Sequence, residues 1–355
     1  MRLNDLYISN FRNIGQATLP FEGNRHFFWG SNGQGKTNLL EAIGMITAMR
    51  SFRTTKRLPL LRQEDPNASV CAQVELKPGD NTQIDIRLSR VTRKAFVDEA
   101  LVEKFSDFIG RFPTVTMSSE DIQLLRGAPS LRRRFFDLIL SFGDPYYLGT
   151  LRKYHNTLKH RNALLKLDDP RPQLPAFDTL IAEQASVLTQ LRKDTLLQFQ
   201  DHLARFYNGI SQNRSETPSI VYAPSKPAQS QGEFYSLLQA NLDRDIYSGT
   251  TNIGPHRDDF TLQLNSNPAL EYASEGQQRA LVLSLRFAQF TYFQEKSGTA
   301  PILLADDILG ELDPARRYRF WEAIPPDTQL IATGTSLPSD SEPWQTFQVD
   351  NGTFS

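Results

Sequence analysis

Apolar and polar residues alternate over residues 3–21, with Pro20 near the end, a pattern that predicts a strand or a hairpin. His26-Phe27-Phe28-Trp29 is a short apolar run that stops at Gly30 and enters a glycine-rich turn. From Lys36 the apolar residues Leu39, Leu40, Ile43 and Ile46 return at helical spacing. The order is strand, loop, helix. Residues 68–102 read as extended segments, Val70-Cys71-Ala72-Gln73-Val74 and Ile84-Asp85-Ile86-Arg87-Leu88, parted by the turn residues Pro78-Gly79-Asp80-Asn81.

The period changes after about residue 120. Residues 146–167 and 177–208 carry helical spacing, and in the second Phe177, Ile181, Leu188, Leu191, Phe199, Leu203 and Phe206 mark one side. Asp168-Asp169-Pro170-Arg171-Pro172 breaks the pattern between them, so the two helices are expected to fold back as an antiparallel hairpin. Residues 211–232 are rich in Ser, Pro, Gln and Asn and read as a surface loop or a boundary. From Asn252 strand and helix alternate again, and no internal repeat is visible. The layout is α/β, then helical, then α/β: an N-terminal part over 1–120, a helical second lobe over 121–245 and a C-terminal part over 246–355.

Composition narrows the class. The 355 residues are 39% hydrophobic and 10% aromatic, which suits a globular chain with a sizeable core. Cys71 stands alone and makes no internal disulfide, which points to a reducing compartment. The start has no continuous apolar stretch and no run approaches a spanning helix, so secreted and membrane-embedded readings fall away and a cytoplasmic location is expected. A net charge of −1 argues at first against a polyanionic partner.

Gly30-Ser31-Asn32-Gly33-Gln34-Gly35-Lys36-Thr37 fits the phosphate-cradling pattern G-x-x-x-x-G-K-[ST] in its required strand-to-helix context. The glycines let backbone N–H groups converge on one phosphate chain, and the helix opening at Lys36 adds its positive end. Lys36 is expected to neutralise the β- and γ-phosphates of ATP, and the Thr37 hydroxyl to bind Mg²⁺. A second segment should supply a carboxylate. Pro301-Ile302-Leu303-Leu304-Ala305-Asp306-Asp307 has the composition of a central parallel strand ending in two acids. Asp306 is expected to hold the metal, and Asp307 to orient the attacking water or take its proton; either acid alternatively caps the following helix.

Ser274-Glu275-Gly276-Gln277-Gln278-Arg279 opens a further helix carrying Leu281, Val282, Leu285, Phe287 and Ala288, about thirty residues before the Asp306 strand. A Ser at a helix start followed by Gly exposes free N–H groups, another phosphate-seeking device. Gly310-Glu311-Leu312-Asp313 follows the acids. This order resembles the ABC-type ATPases, whose signature helix, Walker B strand and D-loop sandwich ATP between protomers. Asn10-Phe11-Arg12-Asn13, Ser51-Phe52-Arg53-Thr54, Gly127-Ala128-Pro129, Arg132-Arg133-Arg134-Phe135-Phe136-Asp137, Lys159-His160-Arg161-Asn162-Ala163-Leu164-Leu165 and Gly254-Pro255-His256-Arg257-Asp258-Asp259 resemble the RecF recombination mediators over nearly the whole chain.

The resemblance implies an α/β fold with a P-loop, ABC/SMC-like ATPase lobe from the two chain ends and an inserted, mainly helical second lobe. It also implies an ATP-dependent homodimer, slow hydrolysis acting as a timer, and binding to DNA at single-strand/double-strand gap junctions. Cooperation with RecO and RecR in loading RecA is part of it. Carried over, Gly30 to Thr37 bind the nucleotide, Ser274 and Gly276 are the signature, and Asp306 and Asp307 are the acids. The second acid is Asp where transporters mostly have Glu. No histidine occupies the switch position in Ile331-Ala332-Thr333-Gly334-Thr335, where Thr333 or Thr335 is the candidate substitute. Gln63 is the candidate for the glutamine that lines such a site near the metal.

Charge distribution revises the first inference from net charge. Residues 126–166 hold nine Lys and Arg against two acids, a balance of +7, whereas residues 301–355 hold three Arg against nine acids, a balance of −6. A local basic surface, not the total, governs phosphate contact. Arg132, Arg133, Arg134, Lys159 and Arg161 are the candidate DNA contacts, and Tyr146, Tyr147 and Tyr154 lie among them, with core packing expected for at least two of the three. A transporter ATPase subunit is the competing class, and a nucleotide kinase a weaker one that leaves Ser274 and Gly276 unexplained. The basic helical middle favours DNA.

Overall fold

A computed structural model of the chain describes residues 1–211, 213, 215–308, 314–337 and 343–355. It divides into two compact units: residues 1–121, 209–211 and 283–355 form the first, and residues 122–208 and 212–282 the second.

The first unit is built on two sheets. Strands β1 (Arg2–Phe11), β2 (Ile14–Pro20), β4 (Asn67–Glu75), β5 (Asn81–Ser89), β6 (Arg93–Val97) and β7 (Ala100–Leu101) form an antiparallel sheet in the order β2-β1-β4-β5-β6-β7. Alternate residues of β4 and β5 point to the core, as the sequence period demands. The other sheet has the order β15-β14-β3-β13-β12-β8. It comprises β3 (Arg25–Trp29), β8 (Thr114–Ser118), β12 (Ile302–Asp306), β13 (Leu330–Gly334), β14 (Gln345–Asp350) and β15 (Thr353–Phe354). Its strands β14, β3, β13, β12 and β8 are parallel, and β8, β12 and β13 are buried at every position, so their apolar runs do not alternate. Helix α1 (Lys36–Gly44) packs between the sheets, its Leu39, Leu40 and Ile43 joining a core that reaches from Leu6 and Phe11 to Leu304 and Ile331. The C-terminal ends of β3, β12 and β13 thereby meet the start of α1. Such strand ends are the usual ligand sites of parallel sheets. Helix α10 (Pro314–Ala323) and residues 283–297 of helix α9 (Glu275–Ser297) also belong to this unit.

The second unit contains α2 (Gln123–Arg126), α3 (Pro129–Gly143), α4 (Pro145–Leu164), α6 (Gln231–Ala240), α7 (Leu242–Ser248) and α8 (Ala269–Tyr272). Most of the long helix α5 (Leu174–Ser211) and the first residues of α9 (Glu275–Ser297) belong to it as well. Arg161 on α4 pairs with Asp178 on α5 at 2.6 Å and with Asp245 on α7 at 2.8 Å, all three fully buried. The hairpin of two helices expected from the sequence is thus pinned by buried charge. A three-stranded sheet joins β9 (Pro218–Ala223), β10 (Asp259–Leu264) and β11 (Asn267–Pro268) in the order β11-β10-β9.

Two features depart from the sequence reading. The segment 211–232 is not all loop, because Ile220, Val221 and Tyr222 make β9, which pairs antiparallel with β10. Residues 246–282, grouped above with the C-terminal part, pack with the second unit. Their anchors are side chains: Asp259 takes the Arg132 guanidinium in a two-pronged bond at 2.8 Å, and Arg126 donates to Gln278 at 2.9 Å.

Candidate functional site

The P-loop is a backbone device. Gly33 (φ 81°) and Gly35 (φ 116°) hold left-handed conformations that side chains disfavour, and a Cβ at Gly30 would press on the Val349 carbonyl. Lys36, 6% exposed as a residue, donates from its ammonium to the carbonyls of Gly30 at 2.6 Å and Ser31 at 2.8 Å. Burial lowers its pKa, while Asp307 and Asp306 push it back up. Gln34 is held from two sides. Its carbonyl accepts from the Asn13 amide at 3.0 Å and from Gly352 N–H at 2.8 Å, and its side chain accepts from Asn351 N–H at 2.7 Å.

Across the loop stands Asp306, the last residue of β12. Its Oδ1 accepts from the Thr37 hydroxyl at 2.9 Å, across 269 positions of sequence, and from the Thr333 hydroxyl at 3.0 Å. Burial raises the Asp306 pKa, and the two hydroxyl bonds and the Arg53 charge oppose the rise. Asp307 follows in the left-handed region (φ 51°), and its N–H donates to Thr333 Oγ1 at 3.0 Å. Lys36, Thr37, Asp306 and Asp307, drawn from motifs at opposite ends of the chain, meet at one point. Thr333 belongs with them, whereas Thr335 is exposed.

A hydroxyl beside a carboxylate is an oxygen donor set that suits a hard cation such as Mg²⁺. Among the described residues no group of three or more His, Cys, Asp or Glu gathers to cage a metal.

A ring of polar residues around α1 carries no weight in the motif reading. Glu41, fully buried on α1, receives Arg12 at 2.9 and 2.8 Å and the Ser51 hydroxyl. The Arg53 guanidinium lies 3.6 Å from Glu41 and donates to Asn38 at 3.1 Å, and Asn38 donates to Asn13 at 2.8 Å. The Asn10–Asn13 and Ser51–Thr54 motifs, quoted above for resemblance alone, are therefore built onto the P-loop helix. One signal was legible: an acid in the middle of an apolar helix face demands a buried partner.

Gln63 sits exposed in the turn after Leu61, and among the described residues no hydrogen bond links it to the P-loop or the acids. Gly310-Glu311-Leu312-Asp313 lies outside the described residues. Ser274 is exposed at the head of α9, where its N–H donates to Gln277 Oε1 at 2.7 Å and its hydroxyl accepts from Gln277 N–H at 3.4 Å. This reciprocal capping box leaves the N–H of Gly276 outside the pair. Ser274 and Gly276 belong to the second unit and the P-loop to the first.

The candidate DNA contacts need correction. Arg161 is fully buried and bound to Asp178, Asp245 and Thr251, so it faces no ligand. Its position is the inner face of α4, where a charge survives only with partners. Arg132 is spent on Asp259 and the Gly127 carbonyl at 2.8 Å, and Arg133 donates to the Asp258 carbonyl at 2.6 Å. Arg134 is partly exposed on α3. Lys159 is exposed, as are Arg152, Lys153 and Lys166 of the same basic stretch. A groove of about 450 Å³ beside α4 is lined by His155, Lys159, Asn162 and Lys166. Tyr147 and Tyr154 are fully buried, as core residues, and Tyr146 is 64% exposed. No helix among the described residues is long and apolar enough to cross a membrane.

Comparison with known proteins bears on the chain as a whole. The sequence family RecF/RecN/SMC N terminal domain matches residues 2–337. The chain is 35% identical to the DNA replication and repair protein RecF of Synechococcus sp. (strain JA-3-3Ab), over 99% of this chain and 97% of that protein. It is 36% identical to RecF of Streptococcus thermophilus (strain ATCC BAA-250 / LMG 18311), over 100% of this chain and 98% of that one. Among solved structures, the recombination mediator protein RecF-ATP of the RecFOR pathway superposes with a TM-score of 0.91 at 28% identity, covering 99% of this chain and 96% of the other. An Smc head bound to the C-winged helix domain of ScpA shares the fold at a TM-score of 0.54 and 14% identity. With a P-loop closed on a distant Asp and likeness running from end to end, the chain belongs to the RecF family of the RecF/RecN/SMC proteins.

Proposed function

We propose that this chain is an ATP-switched, DNA-binding recombination mediator with slow ATPase activity. The observation that carries the reading is the 2.9 Å bond between Thr37 and Asp306, which joins the phosphate loop to the acid-bearing strand. Gly30, Ser31, Asn32, Gly33, Gln34 and Gly35 present backbone N–H groups to the phosphates of ATP, and Lys36 swings from the loop carbonyls onto the β- and γ-phosphates. Thr37 and Asp306 would hold Mg²⁺, which when bound neutralises phosphate charge. Asp307 orients the attacking water and accepts its proton at the carboxylate. A shorter acid than the Glu of transporters suits slow turnover and a timer role.

The exposed head of α9 supports a role for Ser274 and Gly276 on the γ-phosphate of a second protomer, so ATP is read as the glue of a homodimer. The exposed face of α4, with Arg152, Lys153, Lys159 and Lys166, suits the DNA backbone, and Tyr146 a splayed base. The likeness to RecF of the RecFOR pathway supports gapped DNA as ligand and RecO and RecR as partners in loading RecA. Gln63 remains a proposal only as a residue that moves toward the site when nucleotide binds.

The test is binding to gapped, single-stranded and double-stranded DNA with ATP, ADP or no nucleotide, with sedimentation alongside. The expected result is a dimer with ATP and Mg²⁺ and a preference for gapped DNA that ADP abolishes. A monomer at saturating ATP, or equal binding in all nucleotide states, overturns the reading.

A further inference from the structure

We propose that Thr333 is a positioning residue that fixes the left-handed turn at Asp307, and with it the direction of the Asp307 carboxylate. Parallel pairing sets Thr333 of β13 beside Asp306 of β12. Thr333 is 1% exposed, so water does not compete for its hydroxyl. That one hydroxyl makes two bonds of opposite sense: it donates to Asp306 Oδ1 at 3.0 Å and accepts from Asp307 N–H at 3.0 Å. The two bonds leave the hydroxyl one orientation, and the branched Cβ leaves few rotamers.

Asp307 is the residue that needs such a hold. Its backbone leaves the strand at φ 51°, a conformation that most residues with a Cβ avoid and that Asp, among the more tolerant, adopts at a smaller cost. The neighbouring Asp306 continues the ladder with Thr333 on one side and Ser118 on the other, so the chain turns between two consecutive acids. The turn separates the two acids: Asp306 accepts from Thr37, and the Asp307 backbone turns off the strand with its N–H held on Thr333. A turn at a non-glycine residue persists when the surroundings over-determine it. Thr333 supplies that determination through its two side-chain bonds.

The inference rests on the ATPase reading for its consequence but not for its geometry, and the experiment separates the two. Thr333→Val keeps the shape and removes the hydroxyl; Thr333→Ser keeps the hydroxyl. Hydrogen exchange of the Asp307 amide, followed by NMR without nucleotide, reads the bond itself. The expectation is exchange about tenfold faster in Thr333→Val and close to wild type in Thr333→Ser. ATP affinity measured by titration should stay within about threefold in both variants, while kcat falls about tenfold to a hundredfold in Thr333→Val and recovers in Thr333→Ser. Unchanged amide exchange in Thr333→Val overturns the proposal whatever the turnover. Equal loss of ATP affinity and kcat in both variants overturns it too, since that marks a general disturbance of the site. If wild type hydrolyses no faster than Asp307→Asn, the ATPase reading fails, and the amide measurement still decides the role of Thr333.

Discussion

Lys36 and Asp307 are close enough for their charges to interact, yet removal of each should act on a different step. Lys36 lies against the loop that would hold the phosphates, so Lys36→Met is expected to abolish nucleotide binding. Asp307 is the acid proposed to orient the attacking water, so Asp307→Asn should keep ATP affinity and the ATP-driven dimer while hydrolysis stops. Titration with a fluorescent ATP analogue beside a phosphate-release assay distinguishes them, and parallel loss of affinity contradicts the assignment. Glu41 acts at the same scale through stability. It is fully buried under Arg12 and Ser51. Glu41→Ala strands a guanidinium and should cost about 3–5 kcal/mol in denaturant unfolding. A loss below about 1 kcal/mol would show that solvent reaches Arg12.

Helix α4 carries two kinds of charge on its two faces. Arg161 points inward to Asp178 and Asp245, while Arg152, Lys153 and Lys159 point to solvent. Arg161→Ala is therefore expected to destabilise the second unit by about 3–5 kcal/mol and leave the salt slope of DNA binding unchanged in any protein that stays folded. Neutralising Arg152, Lys153 and Lys159 together should leave stability within about 0.5 kcal/mol and flatten that slope by about one unit per lost contact. Folded variants with an unaltered slope would move the DNA surface elsewhere. The sequence shows that this stretch is basic and helical. It does not show which side of the helix is covered, because a charge at helical spacing reads the same whether it meets water or an aspartate from a later segment. Strand β9 escaped notice for a related reason: Ile220-Val221-Tyr222 is a short signal, and its partner β10 lies about forty residues on.

Each of the two units holds a histidine whose pKa burial pushes down to about 4: His26, fully buried on β3 in the first, and His256, bonded to the Tyr154 hydroxyl at 2.7 Å, in the second. An unfolded histidine titrates near 6.5. Because the folded value is lower, protons bind the unfolded chain first. The contribution is complete above about pH 6.5 and is lost as pH falls toward 4, by about 2 kcal/mol per histidine between pH 7.5 and 5. Urea unfolding at the two pH values should show the loss, and His256→Asn should remove its share. A pH dependence that survives both histidine replacements would assign it to the carboxylates.

Across the molecule, the motifs whose chemistry is local were legible in the chain. Gly30 to Thr37 form the turn from β3 into α1 that glycines at those offsets announce, with Gly33 and Gly35 left-handed. The all-apolar run before Asp306 must be a central strand, since a chain covered on both faces has no reason to alternate. What only the tertiary structure decided is who meets whom. It put Thr333 under two consecutive acids, closed Arg12 and Ser51 over Glu41, and turned Arg161 away from any ligand. Local pattern fixes the period and the backbone a residue prefers. Partners hundreds of positions apart are set by the packing of whole sheets and helices, and a single sequence carries that only as a demand that buried charge be answered.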